Sequence, residues 1–183
     1  MARLPYLDVE DLEEKDRDLL KRPINLFRQL TNSPGGARAF GTLGGYIRHH
    51  STLDPRLREM AIIQVGYMTK SEYEYTHHVR LGTEQFGVSE ADIRGITAET
   101  EGLDSGLPEL ECTILRSARA MVTDLKIPDA EFAFLEKAFS NEHLVDLVLS
   151  IAFYCAVVRV LATLEIDNEP HYKEALEKFP LPA

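Results

Sequence analysis

The stretch LDPRLREMAIIQVGYMTKSEYEYTHHVRLGTEQFGVSEADI, residues Leu53–Ile93, decides the fold that this sequence predicts. Asp54 is a typical helix N-cap, and Pro55 stands at the first helical position, where its missing N–H is not needed. A long helix is therefore predicted from this cap to about Thr69. After a short break, a second helix is predicted over Ser71–Phe86.

The same helical periodicity continues through most of the chain, and no run of alternating polar and β-branched residues indicates a sheet. Gly87 is placed to end the second helix, and Ser89 and Asp92 form a capping box that opens a short third one. The other predicted helices are Val9–Lys21, a short helix from Ile24 that Pro34 stops, Pro34–His50, Pro108–Thr123, Asp129–Phe139 and Asn141–Leu164. The predicted fold class is all-α, with residues 1–183 forming a single domain.

The segment that follows these helices begins at Glu165 and contains Pro170, Pro180 and Pro182. Prolines at this density interrupt helices, because each lacks a backbone donor. We expect this tail to pack loosely or against a neighbouring subunit.

Composition limits the classes of partner. A formal charge of −10 and a pI near 5.1 argue against nucleic acid, since binding to phosphates draws on clustered Lys and Arg. The N-terminal sequence lacks the basic and apolar regions of a signal peptide, which predicts a cytoplasmic protein. The apolar run Leu147–Val158, between Asp146 and Arg159, is shorter than the roughly 20 residues of a membrane span, so a buried core helix is predicted.

The two cysteines exclude dithiol chemistry. Cys112 and Cys155 are far apart in sequence, and neither belongs to a Cys-x-x-Cys pair or a zinc-type spacing. An unpaired Cys in an apolar run, such as Cys155, most often packs as a small hydrophobe.

The segment SEYEYTHHV, residues 71–79, contains the densest group of candidate catalytic side chains. Ser71, Glu74 and His78 share one helix face, at steps of three and four residues. Ser-x-x-Glu is also a capping box, so a purely structural role for the first two stays open. A Glu one turn before a His can fix its tautomer and raise its basicity, as proton transfer requires. Which of His77 and His78 faces inward is not decided by the spacing.

A metal centre is a weaker interpretation. Glu74 and His77 form the Glu-x-x-His step of carboxylate-bridged di-iron bundles, but such a site needs a second copy on another helix. The chain has no second copy, so we expect no metal centre.

The opening stretch resembles the core motif of the carboxymuconolactone decarboxylase and AhpD-like superfamily, over residues 54–96. The similarity includes the Arg-x-x-Glu step of Arg56 and Glu59, the pattern Glu-Tyr-x-Tyr-x-x-His that ends at His78, and the Gly-Val-Ser-Glu hinge. Weaker similarity extends over nearly the whole chain. The resemblance implies an AhpD-like helical bundle that forms a homo-oligomer, a trimer or hexamer, with active sites near subunit interfaces.

Two activities of that superfamily make opposite demands on the sequence. The AhpD-type thiol peroxidase uses a Cys-x-x-Cys, assisted by a Glu that matches Glu59 and a His that matches His78, but the two Cys positions here hold Ser71 and Glu74. Thiol peroxidase activity is not expected, because no thiolate is present there to attack a peroxide. The decarboxylase branch also lacks the dithiol and works without metal or organic cofactor, which fits this chain better.

The resemblance therefore implies a cofactor-free lyase in which His78 transfers a proton while Glu59 or Glu74 orients it. Ser71, at the positive end of the second helix, is predicted to bind a substrate carboxylate or enolate oxygen. Tyr75 is predicted as an aromatic wall, while Tyr154 and His77 are further candidates for substrate binding.

A purely structural role stays open for two of these residues. Tyr154 lies on an apolar helix, where a core residue with a satisfied hydroxyl is common. Glu59, close to Arg56 and Arg58, is also placed to offset the helix dipole.

The predicted substrate is a small carboxylate or lactone of the kind met in aromatic-compound catabolism, with neither nucleic acid nor a membrane as partner. The alternative is a family member that has lost its activity and serves as a small-molecule-binding or scaffold oligomer. These two functions differ in one structural respect: an enzyme requires Glu59, Glu74 and His78 to converge on a cavity.

Overall fold

The computed structural model describes residues 2–182, which form α-helices and short 3-10 helices and contain no strand. The α-helices are α1 (Asn25–Leu30), α2 (Pro34–His49), α3 (Pro55–Met68), α4 (Glu72–Gln85), α5 (Glu90–Thr100), α6 (Glu109–Thr123), α7 (Asp129–Ala138), α8 (Asn141–Leu164) and α9 (Glu174–Lys178). The 3-10 helices are Val9–Asp11, Glu14–Leu20 and Pro170–Tyr172. The predicted all-α fold class is confirmed.

The central element is α3, and local sequence explains its start. The Asp54 side chain accepts hydrogen bonds from the backbone N–H groups of Arg56, at 2.9 Å, and Leu57, at 3.1 Å. Every residue from Leu57 to Tyr67 is buried, so the helix has no solvent-facing side. It is packed between α4, α6 and α8, and its apolar side chains join the two clusters that form the core.

A tight connection joins α3 to α4. Lys70 adopts a left-handed conformation, with φ of 51°, and reverses the chain between the two helices. Gly66 allows the helices to approach closely, because a Cβ at this position would lie 2.9 Å from the backbone nitrogen of Tyr75. The pair of helices holds Glu59 of α3 opposite His78 of α4.

The longest helix, α8, spans 24 residues, and its length and apolar composition meet the criteria for crossing a membrane. Core helices of globular proteins meet the same criteria. One side of α8 is buried against α3, with Leu147 and Ile151 fully inaccessible to solvent. This side belongs to the core, as predicted for the apolar run inside it.

The predicted N-terminal α-helix over Val9–Lys21 is wrong. The segment forms two 3-10 helices, and only Leu12 and Leu20 in it are buried. An amphipathic α-helix needs apolar residues at steps of three and four, and this acidic segment supplies too few of them.

Of the two kinds of packing predicted for the tail, loose packing is wrong, and packing against a neighbouring subunit stays a prediction. The segment after α8 packs on α4 of the same chain, where the Tyr172 ring stacks on His77 with centroids 3.5 Å apart. The start of the chain holds the tail as well, since the Tyr6 hydroxyl accepts from the backbone N–H of Asp167 at 2.8 Å. Aromatic and polar contacts of this kind compensate for the helix-breaking prolines.

Candidate active site

Three buried side chains from α3 and α4 meet in one row, which we call the Glu59–His78–Glu74 triad. The Nδ1 atom of His78 lies 2.6 Å from Glu59 Oε2, and its Nε2 atom lies 3.0 Å from Glu74 Oε1. The exposed fractions of the Glu59, Glu74 and His78 residues are 0%, 3% and 5%. The imidazole is thus held between two carboxylates and away from bulk water.

The two carboxylates of the triad differ in their other contacts. Arg58 donates to Glu59 Oε1 from Nε at 3.3 Å and from a terminal nitrogen at 3.2 Å. Glu74 Oε1 is buried and, despite its short distance to His78 Nε2, makes no hydrogen bond of acceptable geometry. Glu59 is therefore fixed on both sides, whereas Glu74 retains acceptor capacity toward the cavity described below.

Electrostatics favour the protonated form of His78. Burial lowers the pKa of this imidazole, but the negative charges of Glu59 and Glu74 beside it, together with the hydrogen bond to Glu59, outweigh burial and raise its pKa to about 9. At neutral pH, His78 is an imidazolium that carries a proton on each ring nitrogen.

A small cavity of about 40 Å³ opens beside the triad, and Glu74 and His78 line it. The Tyr154 ring meets the His78 ring edge to face, with centroids 4.7 Å apart, and its hydroxyl accepts from Arg48 at 3.2 Å. The remaining walls are mostly apolar, and they include Leu26, Phe27, Phe40, Phe153 and Val157. Glu59 lies behind His78 and does not line the cavity, so one carboxylate, the His78 imidazole, two guanidiniums and the Tyr154 hydroxyl meet at a largely apolar pocket.

His77 makes contacts of a different kind. Its ring is stacked between Tyr73, at 4.1 Å, and Tyr172, at 3.5 Å, and its Nε2 atom lies 2.8 Å from Glu169 Oε2. Burial lowers its pKa, although Glu169 acts in the opposite direction. This side chain lines the cavity, but its polar atom attaches the C-terminal segment to α4.

Two predicted substrate-binding residues lie away from the cavity. Ser71 caps α4, with its Oγ accepting from the backbone N–H of Glu74 at 3.4 Å, and the capping box is not closed because the Glu74 carboxylate turns to His78. Tyr75 is fully buried beside Tyr67, with ring centroids 5.9 Å apart. Neither Ser71 nor Tyr75 is among the residues that line the cavity.

The aromatic wall is instead Tyr73, which lies about 200° around the helix from Tyr75. Its spacing of four from His77 is the only sequence signal that could have identified it. Arg22 and Arg48 also line the cavity, and they carry no local signal because they come from a loop and from α2.

Arg56, the arginine of the Arg-x-x-Glu step, pairs with carboxylates other than Glu59. Arg56 pairs with Asp92 at 2.6 Å and with Glu111 at 2.8 Å, which ties α3 to α5 and α6. Of the two arginines considered for Glu59, only Arg58 contacts it.

Neither cysteine belongs to the triad. Cys112 Sγ donates to the backbone oxygen of Leu107 at 3.6 Å, and burial raises the pKa of the Cys155 thiol. Both are free thiols. Within residues 2–182, no group of three or more His, Cys, Asp or Glu side chains is arranged to hold a metal ion.

Comparison with known proteins agrees with this architecture. Residues 34–106 match the sequence profile of the carboxymuconolactone decarboxylase family. No curated protein sequence gives a significant match.

Solved structures share the fold over nearly the whole chain. The AhpD-core, peroxidase-related protein from Ralstonia eutropha JMP134 is 19% identical, with a TM-score of 0.73 over 93% of this chain and 94% of that chain. A variant of the debrominase Bmp8 in complex with 2,3,4-tribromopyrrole is 20% identical, with a TM-score of 0.78 over 97% of this chain and 96% of that chain. A peroxidase-related protein from Silicibacter sp. TM1040 is 18% identical, with a TM-score of 0.70 over 92% and 91%.

Identities this low show a common fold and nothing finer about activity. The profile match adds a sequence relationship over the segment that contains the whole Glu59–His78–Glu74 triad. Together these findings support the relationship predicted from the sequence: residues 34–106 match the carboxymuconolactone decarboxylase family, and nearly the whole chain shares the fold of AhpD-core, peroxidase-related proteins.

Proposed function

We propose that this protein is a cofactor-free lyase of the carboxymuconolactone decarboxylase type, which acts on a small organic acid or lactone by acid/base catalysis. The observation that carries the proposal is the buried triad, in which an imidazolium lies between two carboxylates at the wall of a cavity. Such an arrangement stores a proton in a site from which bulk water is excluded.

The reaction requires one proton and no redox partner. In an unsaturated lactone acid, the bond from the ring carbon to the carboxylate breaks, CO₂ leaves, and the electron pair passes into the conjugated system. The resulting enolate takes a proton on carbon and becomes the neutral product. His78 supplies this proton and regains one from solvent after product release, so that atoms and charges balance.

The geometry assigns a distinct task to each carboxylate. Glu74 lines the cavity beside His78 and lies 3.0 Å from its Nε2 atom, so we assign Glu74 to pass the proton from the imidazolium to the substrate. Glu59, fixed by Arg58, orients the imidazole through Nδ1 and is a positioning residue.

The test is CO₂ release from a panel of lactone acids and 2-oxo acids, followed with wild-type protein and Glu74→Gln. The variant keeps the size of the side chain but cannot carry the proton as a carboxylate. We expect kcat to fall by about 10²- to 10⁴-fold. Glu72→Gln, an exposed position on the same helix, is the matched control and should retain activity. Equal turnover by wild-type protein and Glu74→Gln would contradict the proposal.

The competing function, a ligand-binding or scaffold oligomer, draws support from the small size of the cavity, about 40 Å³. Its signature would be ligand binding that leaves every acid of the panel unchanged. Thiol peroxidase activity is not proposed, because Ser71 and Glu74 occupy the dithiol positions. Turnover of a peroxide with a dithiol reductant that survives loss of both Cys112 and Cys155 would contradict this view.

Assembly into a trimer or hexamer is part of the proposal. The outward side of α8 supports it, since Val145 is 62% exposed and the exposed Ala152 and Ala156 continue the same apolar face. Light scattering on the purified protein should give the mass of an oligomer, and a monomer at micromolar concentration would contradict this part.

A further inference from the structure

A wider depression of about 480 Å³ adjoins the cavity on its outer side, and we call it the vestibule. Arg22, Arg48 and Leu81 line both spaces, so the vestibule is continuous with the cavity. Arg80 and Tyr172 lie at its outer wall. The route to the triad from this side therefore passes between guanidinium groups.

Two of these guanidiniums lack an acidic partner. Within residues 2–182, no carboxylate lies within 4.0 Å of the side-chain nitrogens of Arg22 or Arg48, whereas Arg80 pairs with Glu84 at 2.9 Å. Arg48 donates to the neutral hydroxyl of Tyr154, and its buried Nε has no hydrogen-bond partner. A partly buried cation with an unpaired donor is costly unless an anion binds there.

The charges nearby do not supply that anion. In the triad region, the cations Arg58 and His78 balance the anions Glu59 and Glu74. Of the other carboxylates nearby, Glu84 pairs with Arg80 and Glu169 contacts His77. Within residues 2–182, Arg22 and Arg48 are therefore left without an ion-pair partner, in a chain whose net charge is −10.

The pKa of a nearby histidine, His49, is affected by burial and by the charge of Arg48. Burial, followed by the charges of Arg48 and Arg58, lowers the pKa of His49 at the vestibule wall. The charges of Arg48 and Arg58 thus act on this imidazole in the direction expected of a positive local potential, although the protein as a whole is acidic.

The cavity and the vestibule differ in volume, so they accommodate different parts of one ligand. The cavity, at about 40 Å³, accommodates only a few atoms, whereas the vestibule, at about 480 Å³, accommodates a substituted ring. Phe86 and Tyr172 give the vestibule aromatic surface against which a flat ring packs.

We propose that the vestibule is the binding site for the body of a flat, ring-containing organic anion, with Arg48 and Arg22 binding its carboxylates while one end reaches the triad. This inference rests on the proposed function in one respect, that the bound anion is the substrate. Arg48 takes the carboxylate at the boundary of the cavity, and Arg22, which is exposed, takes a second one farther out.

The test uses three ring compounds that differ in charge and are not expected to react: phthalate, benzoate and neutral benzamide. Binding to the full chain is measured by calorimetry. We expect phthalate to bind more tightly than benzoate, benzamide not to bind detectably, and added salt to weaken phthalate binding. Arg48→Gln should weaken both anions by about tenfold, and Arg22→Gln should weaken phthalate severalfold while leaving benzoate unchanged.

Arg94→Gln is the matched control, because Arg94 is an exposed arginine on α5 that pairs with Glu90. It should leave all affinities unchanged. Absence of phthalate binding at millimolar concentrations, benzamide binding as tight as that of benzoate, or equal losses in Arg94→Gln and Arg22→Gln would each overturn the inference. Tighter binding of inorganic phosphate than of phthalate would overturn the assignment of a carboxylate.

Glu74→Gln separates this inference from the proposed function. The variant removes a nearby negative charge, so it should bind phthalate at least as tightly as wild-type protein even though the proposed catalysis is lost. Arginine-dependent binding without turnover of any acid in the panel would refute the lyase and leave the anion site intact. Turnover that does not change in Arg22→Gln and Arg48→Gln would refute the anion site and leave the lyase intact.

Discussion

His77 and His78 are neighbours in sequence, are both buried and both contact glutamate, yet their protonation differs. The pKa of His77 is lowered, whereas that of His78 is raised to about 9. Burial lowers the pKa in both cases, but Glu169 is the one carboxylate bound to His77, while Glu59 and Glu74 flank His78. The number of buried carboxylates, more than burial itself, decides whether an imidazole in this protein is charged.

The same difference separates a structural region from a reactive one. The ring of His77 is closed off by Tyr73 and Tyr172 on its two faces, so its bond to Glu169 serves to attach the tail. The ring of His78 meets Tyr154 only at an edge and faces a cavity. His77 also lines the cavity, but both of its ring faces are covered, so the charged imidazole of His78 is the one available for chemistry.

The largest effect should come from replacing each histidine by glutamine. In the lyase proposed above, we expect His78→Gln to lower kcat for CO₂ release by about 10²- to 10⁴-fold, because the stored proton is lost. His77→Gln keeps a hydrogen-bond donor for Glu169 and should change kcat by less than about threefold. A fall of similar size in both variants would show that the two regions are not functionally distinct.

The next effect concerns stability and pH. The folded pKa of His78, about 9, lies above its unfolded value of about 6.5, so the stability it contributes is fully present below pH 6.5 and is lost as the pH rises through 9. The loss should be about 3 kcal/mol in the free energy of unfolding. His77 acts in the opposite sense: its folded pKa is lowered, so its contribution is lost as the pH falls below about 6.5.

Urea unfolding as a function of pH, with NMR titration of both imidazoles, measures these two contributions. In His78→Gln the alkaline slope should disappear while the acidic slope remains. An alkaline slope of unchanged size in that variant would assign it to some other group.

A smaller effect should follow from removing one carboxylate from each region. Glu59→Gln leaves His78 with a single carboxylate, as His77 has, so its pKa should fall from about 9 toward the ordinary value of 6.5. Glu169→Gln is the matched change beside His77 and should lower the pKa of that imidazole further. An NMR titration in which Glu59→Gln leaves the pKa of His78 unchanged would refute the electrostatic explanation.

The smallest effect should come from Tyr172→Ala, which removes one face of the stack on His77. We expect a loss of about 1 kcal/mol in the free energy of unfolding, typical of an aromatic pair. Urea unfolding measures it, with Leu125→Ala, at a residue that is 84% exposed, as the control. Equal stability of the two variants would mean that the stack contributes nothing.

The parts of the fold that follow local rules could be predicted from the sequence. The cap of α3 at Asp54 and Pro55, the capping box of α5 at Ser89 and Asp92, and the extent of α8 agree with the structure. Each depends on residues within one or two helical turns of each other, which is the range over which sequence patterns carry information.

Features that depend on tertiary contacts were predicted less well. Glu74 has the spacing of a capping residue, but its carboxylate lies at His78 instead of closing the capping box, and spacing alone cannot show this. The resemblance predicts Tyr75 as the aromatic wall, whereas the side of α4 that faces the cavity, which carries Tyr73, is set by how α4 packs on α3 and α8. Arg48, from a separate helix, had no signal at all.

The connection between the start of the chain and the C-terminal segment has a consequence for folding. Glu59 and His78 are 19 residues apart, so the triad can form as soon as two consecutive helices have left the ribosome. The vestibule joins Arg22 to Tyr172, and the contact of Tyr6 with Asp167 that supports this closure spans 161 residues. We therefore expect the reactive centre to assemble early and its entrance to close late, after Tyr172 has been synthesised.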